Sequence, residues 1–384
     1  CYGELALSGE LRPVSGLLPA VLKAHSCGRS VIVPKENAGE AALAGAKVIG
    51  ASSLLEVTAH LAGREPIDAA TAQEGDAPSS STPELADVKG QQHAKRALEI
   101  AAAGNHNLLL IGPPGTGKSM LARRLPGLLP AMSKVEALET AAVNSVAGLS
   151  VDAARWLRRP FRSPHHTASA AALVGGGRLL GPGEISRAHN GVLFLDELPE
   201  FNRNVLEALR EPLEVGSITI ARAGAQAEFP ARFQLIAAMN PCPCGYLGDS
   251  QSDCRCSGDK VINYRNKISG PLLDRIDLHV QVLRPSTETL RGSDPDSEGS
   301  AEVATRVACA WRRQQARSGV PNARLEGESL DVHCAINAAC WSLLESAAER
   351  FNLSARAHQR ILRVARTIAD LGGETKIAPP HIAE

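Results

Sequence analysis

Residues 112–119 run Gly112, Pro113, Pro114, Gly115, Thr116, Gly117, Lys118 and Ser119, the spacing of a complete phosphate-binding loop. Glycines let the backbone close around a phosphate, so that successive N–H groups and the start of a helix face the anion. Lys118 in this pattern reaches the β- and γ-phosphates, and the Ser119 hydroxyl ligates Mg²⁺. The apolar run Leu108, Leu109, Leu110, Ile111 lies just before the loop and an Ala/Leu-rich helical stretch comes after it. That strand–loop–helix context predicts a chain that binds a nucleoside triphosphate.

A second apolar run, Val192, Leu193, Phe194, Leu195, ends in Asp196 and Glu197. A buried strand delivers such a pair to its C-terminal edge, where ligands bind in open α/β sheets. Asp196 is expected to hold Mg²⁺, directly or through water, and Glu197 to polarise the attacking water as general base. Met239-Asn240 closes the next apolar strand. A polar side chain there can orient the lytic water against the γ-phosphate, a strand-end cap being the plainer alternative.

These strands need a large core, and 384 residues suffice for two domains plus a small one. Lys plus Arg and Asp plus Glu are both 41, so a basic coat over the whole surface is excluded while a local basic loop is not. No apolar run reaches membrane-span length and no secretory signal opens the chain, so a cytoplasmic location without a membrane partner is expected. Cys1 at the start, and a halt soon after Pro379-Pro380, read as a fragment lacking sequence before it and a little after it.

Residues 1–64 read as a compact α/β piece, with short strands at Val31, Ile32, Val33, Pro34 and at Ala46, Lys47, Val48, Ile49, and a further strand over Tyr2 to Leu7. Residues 65–84 read as a linker, 85–286 as an α/β domain with a parallel sheet covered on both faces, 287–300 as a polar loop, and 301–384 as a helical part with Ser354 as an N-cap. The basic stretch Arg155 to Arg162, with Trp156 and Phe161, suits a single-strand groove, with Arg162 as a DNA contact, or a solvated helix beside a core aromatic. Ser217 to Phe229 reads as a hairpin whose tip carries Arg222.

Cys242, Cys244, Cys254 and Cys256 form two pairs nine residues apart. Four thiolates on two short knuckles would close a structural tetrahedral Zn²⁺ site; reduced unbound thiols and a redox sensor are the alternatives. The other five cysteines are scattered, as small buried apolar groups are.

The order phosphate loop, Asp-Glu strand, strand-end Asn, then Leu272, Leu273, Asp274, Arg275, Ile276, Asp277 resembles the AAA+ ATPases, and within them the magnesium-chelatase-like branch. The stretches at 162–169, 240–245 and 361–370 resemble the ComM/YifB family nearly word for word, and the similarity spans almost the whole chain. The resemblance implies a P-loop AAA+ sheet with a helical lid, ATP and Mg²⁺ as ligands, and a homo-hexameric ring with ATP sites between subunits. Arg275 would then be the arginine finger reaching a neighbour's γ-phosphate, an ion pair with Asp274 or Asp277 being the plainer reading. Arg356 matches the second sensor arginine of the lid. The Arg222 hairpin matches pore hairpins of related helicases. Residues 3–14 and 31–37 resemble the C-terminal half of a Lon-type protease domain, with Leu18 where the catalytic lysine would stand, which implies a non-proteolytic role. The family implies ATP hydrolysis coupled to movement on DNA, as a branch-migration or helicase-type motor in recombination or transformation. A chelatase-like motor remodelling a protein partner, an ATP-dependent protease, and a regulatory ATPase without nucleic acid are the rivals.

Overall fold

The apolar runs become parallel strands buried on both faces. The computed structural model describes residues 1–71, 83–151, 156–177, 180–222, 225–286, 289 and 298–384, with Arg222 described in its backbone only. The central sheet has five strands: β1 (Leu108–Ile111), β2 (Phe161–Arg162), β3 (Val192–Leu195), β4 (Gln234–Met239) and β5 (Leu278–Gln281). Their order is β5-β1-β4-β3-β2, and every neighbouring pair is parallel.

Successive side chains of a strand point to opposite faces, so each apolar run feeds two cores. Leu108, Leu110, Val192, Phe194, Ile236 and Ala238 belong to one. Leu109, Leu193, Leu195, Leu235, Ala237 and Met239 belong to the other. This is the P-loop AAA+ arrangement that the motifs predict.

Five of the helices tie the sheet to the rest of the chain: α1 (Gln92–Gly104), α2 (Lys118–Ala122), α3 (Lys134–Val146), α4 (Ser300–Ser318) and α5 (Ala355–Gly372). Val303, Val307 and Ala310 of α4 join the first core, and Trp311 and Gln314 donate to the carbonyls of Ala102 and Ala103, each at 2.8 Å. The first helix of the C-terminal part is thus packed onto the core of the central sheet. Ser354 caps α5 as expected, accepting from the Ala357 N–H at 3.2 Å. The resemblance stretch 361–370 fastens that helix. Arg366 and Asp370 are 2 % and 1 % exposed and pair at 3.0 Å, Arg317 reaches Asp370 at 2.7 Å, and Asn322 donates to it at 2.8 Å. Breaking one partner of such a buried set leaves an uncompensated charge, so the set holds α4 and α5 in one arrangement.

In the N-terminal piece the strands Val31–Pro34 and Val48–Ala51 pair in parallel, the second two residues later than the sequence suggests. The expected strand over Tyr2 to Leu7 is reduced to Glu4–Leu5. Leu17, Leu18 and Val21 build a core that Ala141 of α3 completes, and Gly16 donates to the Ser145 carbonyl at 2.8 Å. The Ala/Ser/Asp/Gly stretch at 72–82 and most of the polar loop at 287–300 lie outside the described residues.

Candidate functional site

Three adjacent strands end at one edge of the sheet, and each releases a piece of the predicted chemistry there. β1 runs into the phosphate loop, β3 into Asp196 and Glu197, and β4, hydrogen-bonded between them, into Asn240. The register places Met239 beside Ile111 and Ala237 beside Leu195, so the three chain ends leave side by side. Neighbouring strands lie about 4.8 Å apart, close enough for their terminal side chains to meet.

They do meet. The Ser119 hydroxyl donates to Asp196 Oδ2 at 2.5 Å. Lys118 Nζ donates to the carbonyls of Gly112 and Pro113 at 2.7 and 2.8 Å and to Asn240 Oδ1 at 3.2 Å. Burial pushes the Lys118 ammonium below its ordinary range, against the pull of Asp196 and Glu197. Tyr264 hydrogen-bonds the backbone of Asn240, and burial pushes its phenol up to about 12.

The loop fits a nucleotide's phosphates. Gly115 and Gly117 hold φ of +77° and +90°, and a Cβ at either would meet nothing within 4 Å. The backbone there borders open space in a conformation that L side chains adopt rarely. Ser119 and Asp196 present oxygens to one point, the hard donor set that Mg²⁺ takes.

Glu197 also has a left-handed backbone, φ +55°, without being glycine. Non-glycine residues in this region cluster at functional sites because the surrounding structure must hold them there. Its carboxylate lies 3.1 Å from His166 Nδ1, and His166 stands edge-on to Phe201 and against His165. The sequence reading gives this His pair no link to Glu197. The available signal is topological: β2 is parallel to β3, so the loop after Arg162 emerges at the same edge as Glu197.

Arg275 and Arg356 stand elsewhere. Arg275 precedes β5, whose Leu278 pairs with Leu108, so it sits at the N-terminal edge while the phosphate loop sits at the C-terminal edge. Asn107, just before β1, fixes this corner: its Nδ2 donates to the Arg275 carbonyl at 2.8 Å and its N–H to Asp277 at 2.9 Å. Arg275 and Arg356 line one cleft of about 670 Å³, together with Glu214 and Arg360. The guanidinium of Arg275 pairs with Glu214, not with Asp274 or Asp277. Arg360 donates to the Ile276 carbonyl at 2.8 Å, which holds α5 at this edge. A lid folded over its own chain's nucleotide would bring Arg356 to Lys118; here it borders the opposite edge.

The two DNA-contact candidates differ. Arg162 makes a two-pronged ion pair with Glu184 at 2.6 and 2.8 Å. Arg159 is spent on Glu136, the Pro130 and Asn190 carbonyls and the Trp311 ring, and Phe161 stacks on Phe194. Within the stretch 156–162, Arg159, Phe161 and Arg162 are thus engaged with the rest of the fold while Leu157 and Arg158 are exposed; Arg155 lies outside the described residues. The predicted hairpin is present, Ser217–Arg222 pairing antiparallel with Ala225–Pro230. Arg222 ends the first strand next to a tip that lies outside the described residues.

Cys242, Cys244, Cys254 and Cys256 converge, with all four sulfurs within 4.8 Å of one another. The N–H groups of Tyr246 and Arg255 hold the Cys244 thiol down to about 6. The Cys256 N–H favours a Cys254 thiolate, but desolvation and the nearby Cys244 and Cys242 outweigh it and push that thiol up to about 12. Cys244 ionises readily while Cys254 and Cys256 resist, as crowded like charges do.

Residues 84–290 match the family described as magnesium chelatase, subunit ChlI, and residues 297–384 match its C-terminal part. Competence protein ComM of Haemophilus influenzae is 49 % identical over 386 residues, 99 % of this chain and 75 % of that protein. YifB of Escherichia coli is 47 % identical over 384 residues, 100 % of this chain and 75 % of that protein. The magnesium-chelatase 38 kDa subunit of Rhodobacter capsulatus is 26 % identical over 319 residues, 77 % of this chain and 83 % of that protein. Among the described residues no helix is long and apolar enough to cross a membrane.

Proposed function

Because the chain belongs to the ComM/YifB family of magnesium-chelatase-like AAA+ proteins, we propose that it is an ATPase that closes head to tail into a hexameric ring and works on DNA. One observation carries the reading. The phosphate loop, Asp196, Glu197 and Asn240 occupy one edge of the sheet, and Arg275 and Arg356 the opposite one. Arginines so placed cannot serve their own chain's nucleotide, but they can serve a neighbour's. Contacts between two different edges of identical copies are heterologous, and they close into a ring when the rotation permits.

Mg·ATP supplies the phosphoryl group and the cation that screens its charge. Gly115, Thr116 and Gly117 offer backbone N–H groups to the phosphates, and Lys118 swings from its loop carbonyls toward the β- and γ-oxygens. Ser119 and Asp196 hold the metal. Glu197 takes a proton from the attacking water while Asn240 orients that water. The neighbour's Arg275 meets the charge that develops on the γ-phosphate, with its Arg356 beside it.

The DNA half of the proposal rests on the competence named for the Haemophilus influenzae relative and on the hairpin that ends at Arg222. Branch migration of incoming strands is the task that fits both. Leu18, fully buried where a Lon-type domain would carry its lysine, supports a non-proteolytic N-terminal piece.

The test is steady-state ATP hydrolysis with and without single-stranded and forked DNA, beside Glu197→Gln and Arg222→Ala. DNA should stimulate turnover several-fold, Glu197→Gln should abolish it, and Arg222→Ala should remove only the stimulation. Turnover that needs Glu197 but ignores every DNA would remove the DNA half and leave a protein-remodelling ATPase of the chelatase kind.

A further inference from the structure

The loop that leaves β4 carries Asn240 and the cysteine cluster within a few residues of each other. Cys242 Sγ lies 3.4 Å from Cys244 Sγ and 3.7 Å from Cys254 Sγ, and Cys244 and Cys254 are 3.6 Å apart. A disulfide would need about 2.05 Å. A tetrahedral tetrathiolate site with Zn–S of about 2.3 Å has sulfur–sulfur edges of about 3.8 Å. The three separations therefore describe one face of such a tetrahedron, with Cys256 inside the same 4.8 Å limit. The Cys256 N–H donates to Cys254 Sγ at 3.5 Å, the kind of outer hydrogen bond that steadies a thiolate ligand.

The cluster also touches the phosphate machinery. Gly245 donates to the Cys242 carbonyl at 3.0 Å, closing the first knuckle. Gly245 has φ +87°, and a Cβ on it would stand 2.7 Å from Pro114 Cδ, so the knuckle's backbone rests against the phosphate loop. Two residues before Cys242, Asn240 accepts from Lys118.

We propose that Cys242, Cys244, Cys254 and Cys256 hold one zinc ion, and that the ion braces the ATP site by fixing Asn240 and the Gly245–Pro114 contact. Four thiolates leave no open position, so the ion itself takes no part in hydrolysis. Binding displaces the thiol protons to solvent. The bracing role rests on the ATPase reading; the presence of the ion does not.

Metal content decides the first half. Protein purified under reducing conditions, with neither added metal nor chelator, should carry one zinc per chain and no iron by mass spectrometry of the elements. Cys254→Ser/Cys256→Ser should lose it. Should that variant misfold, mercurial titration of the wild-type protein should release zinc in step with four thiols, and Co²⁺ added to stripped protein should give the absorption of a tetrahedral thiolate site. Four thiols that react freely without releasing zinc, or iron in its place, would overturn the site.

The brace is read on the same stripped protein. Its kcat for ATP should fall about 10-fold with little change in the affinity for a fluorescent ATP analogue, and Zn²⁺ should restore it. Zinc that comes and goes without moving kcat would refute the brace alone. Absent hydrolysis in zinc-replete protein would instead refute the ATPase reading, with the metal content still deciding the site.

Discussion

At the C-terminal edge of the sheet the polar side chains are tied to one another; at the N-terminal edge Arg275 is tied to an exposed carboxylate and to the Pro271 carbonyl of its own turn. Lys118 bonds to its own loop and to Asn240, and Ser119 to Asp196, all of these bonds at least partly buried. Arg275 leans on Glu214, whose side chain is 59 % exposed, across an open cleft. One edge is organised before a ligand arrives, and the other lines a cleft with Arg275, Arg356 and Arg360, the Arg275 side chain being 14 % exposed. On the ring proposed above, a single chain holds both halves of a hydrolytic site and joins them only by assembly.

The sharpest way to break this picture is to damage each edge in a different copy. Arg275→Ala should lower turnover about 10³-fold, the usual worth of an arginine finger, and Glu197→Gln should silence it. Mixing the two dead proteins should then restore a fraction of the wild-type rate, because every mixed contact in which the Arg275→Ala copy supplies the ATP site and the Glu197→Gln copy the finger pairs an intact Glu197 with an intact Arg275, while the reverse contact is doubly damaged. Rescue that never rises above the separate proteins at any ratio would put the complete site within one chain.

Which parts of this division could be read from the residues has a physical explanation. β1, β3 and β4 are central strands buried on both faces, so their sequences are unbroken apolar runs and the motifs at their ends stand out. β2 and β5 are the sheet's borders: Phe161–Arg162 is two residues long, and Leu278–Gln281 alternates half-buried with exposed residues. Such short or half-exposed segments carry little signal. Without the place of β5 the opposition of Arg275 and Lys118 is invisible, which is why the Glu214 pair and the position of Arg356 emerge only from the fold. His166 escaped for a related reason: its partner Glu197 is 31 positions away, and only the adjacency of β2 and β3 brings the two together.

A milder perturbation sharpens the picture at the organised edge. Gly245→Ala puts a Cβ into the space of Pro114 at a backbone angle that L residues avoid, so the knuckle and the phosphate loop must part. Turnover should fall about 10-fold, since sub-ångström shifts of a positioning group already matter, while the cysteines remain in place. Unchanged turnover would mean that the knuckle merely abuts the loop.

The smallest effect is expected at the yielding edge. Hydrogen bonding and charge from Arg275, helped by Arg356, hold the Glu214 carboxyl below its ordinary range. A carboxylate whose folded pKa is depressed stabilises the fold above its unfolded value and loses that contribution only as pH falls through the folded one. The pair is therefore intact throughout the neutral range, and substitution rather than mild acid is the way to open it. With its carboxylate 59 % exposed and screened by solvent, the pair is worth about 1 kcal/mol or less, so Glu214→Gln should scarcely move thermal stability at pH 7. If Glu214 merely parks the guanidinium, freeing it should leave turnover equal or raise it two- to three-fold, as about 0.5 kcal/mol of released restraint would. Turnover that collapses toward the Arg275→Ala level would instead show that Glu214 aims the arginine, and that the second edge is as closely organised as the first.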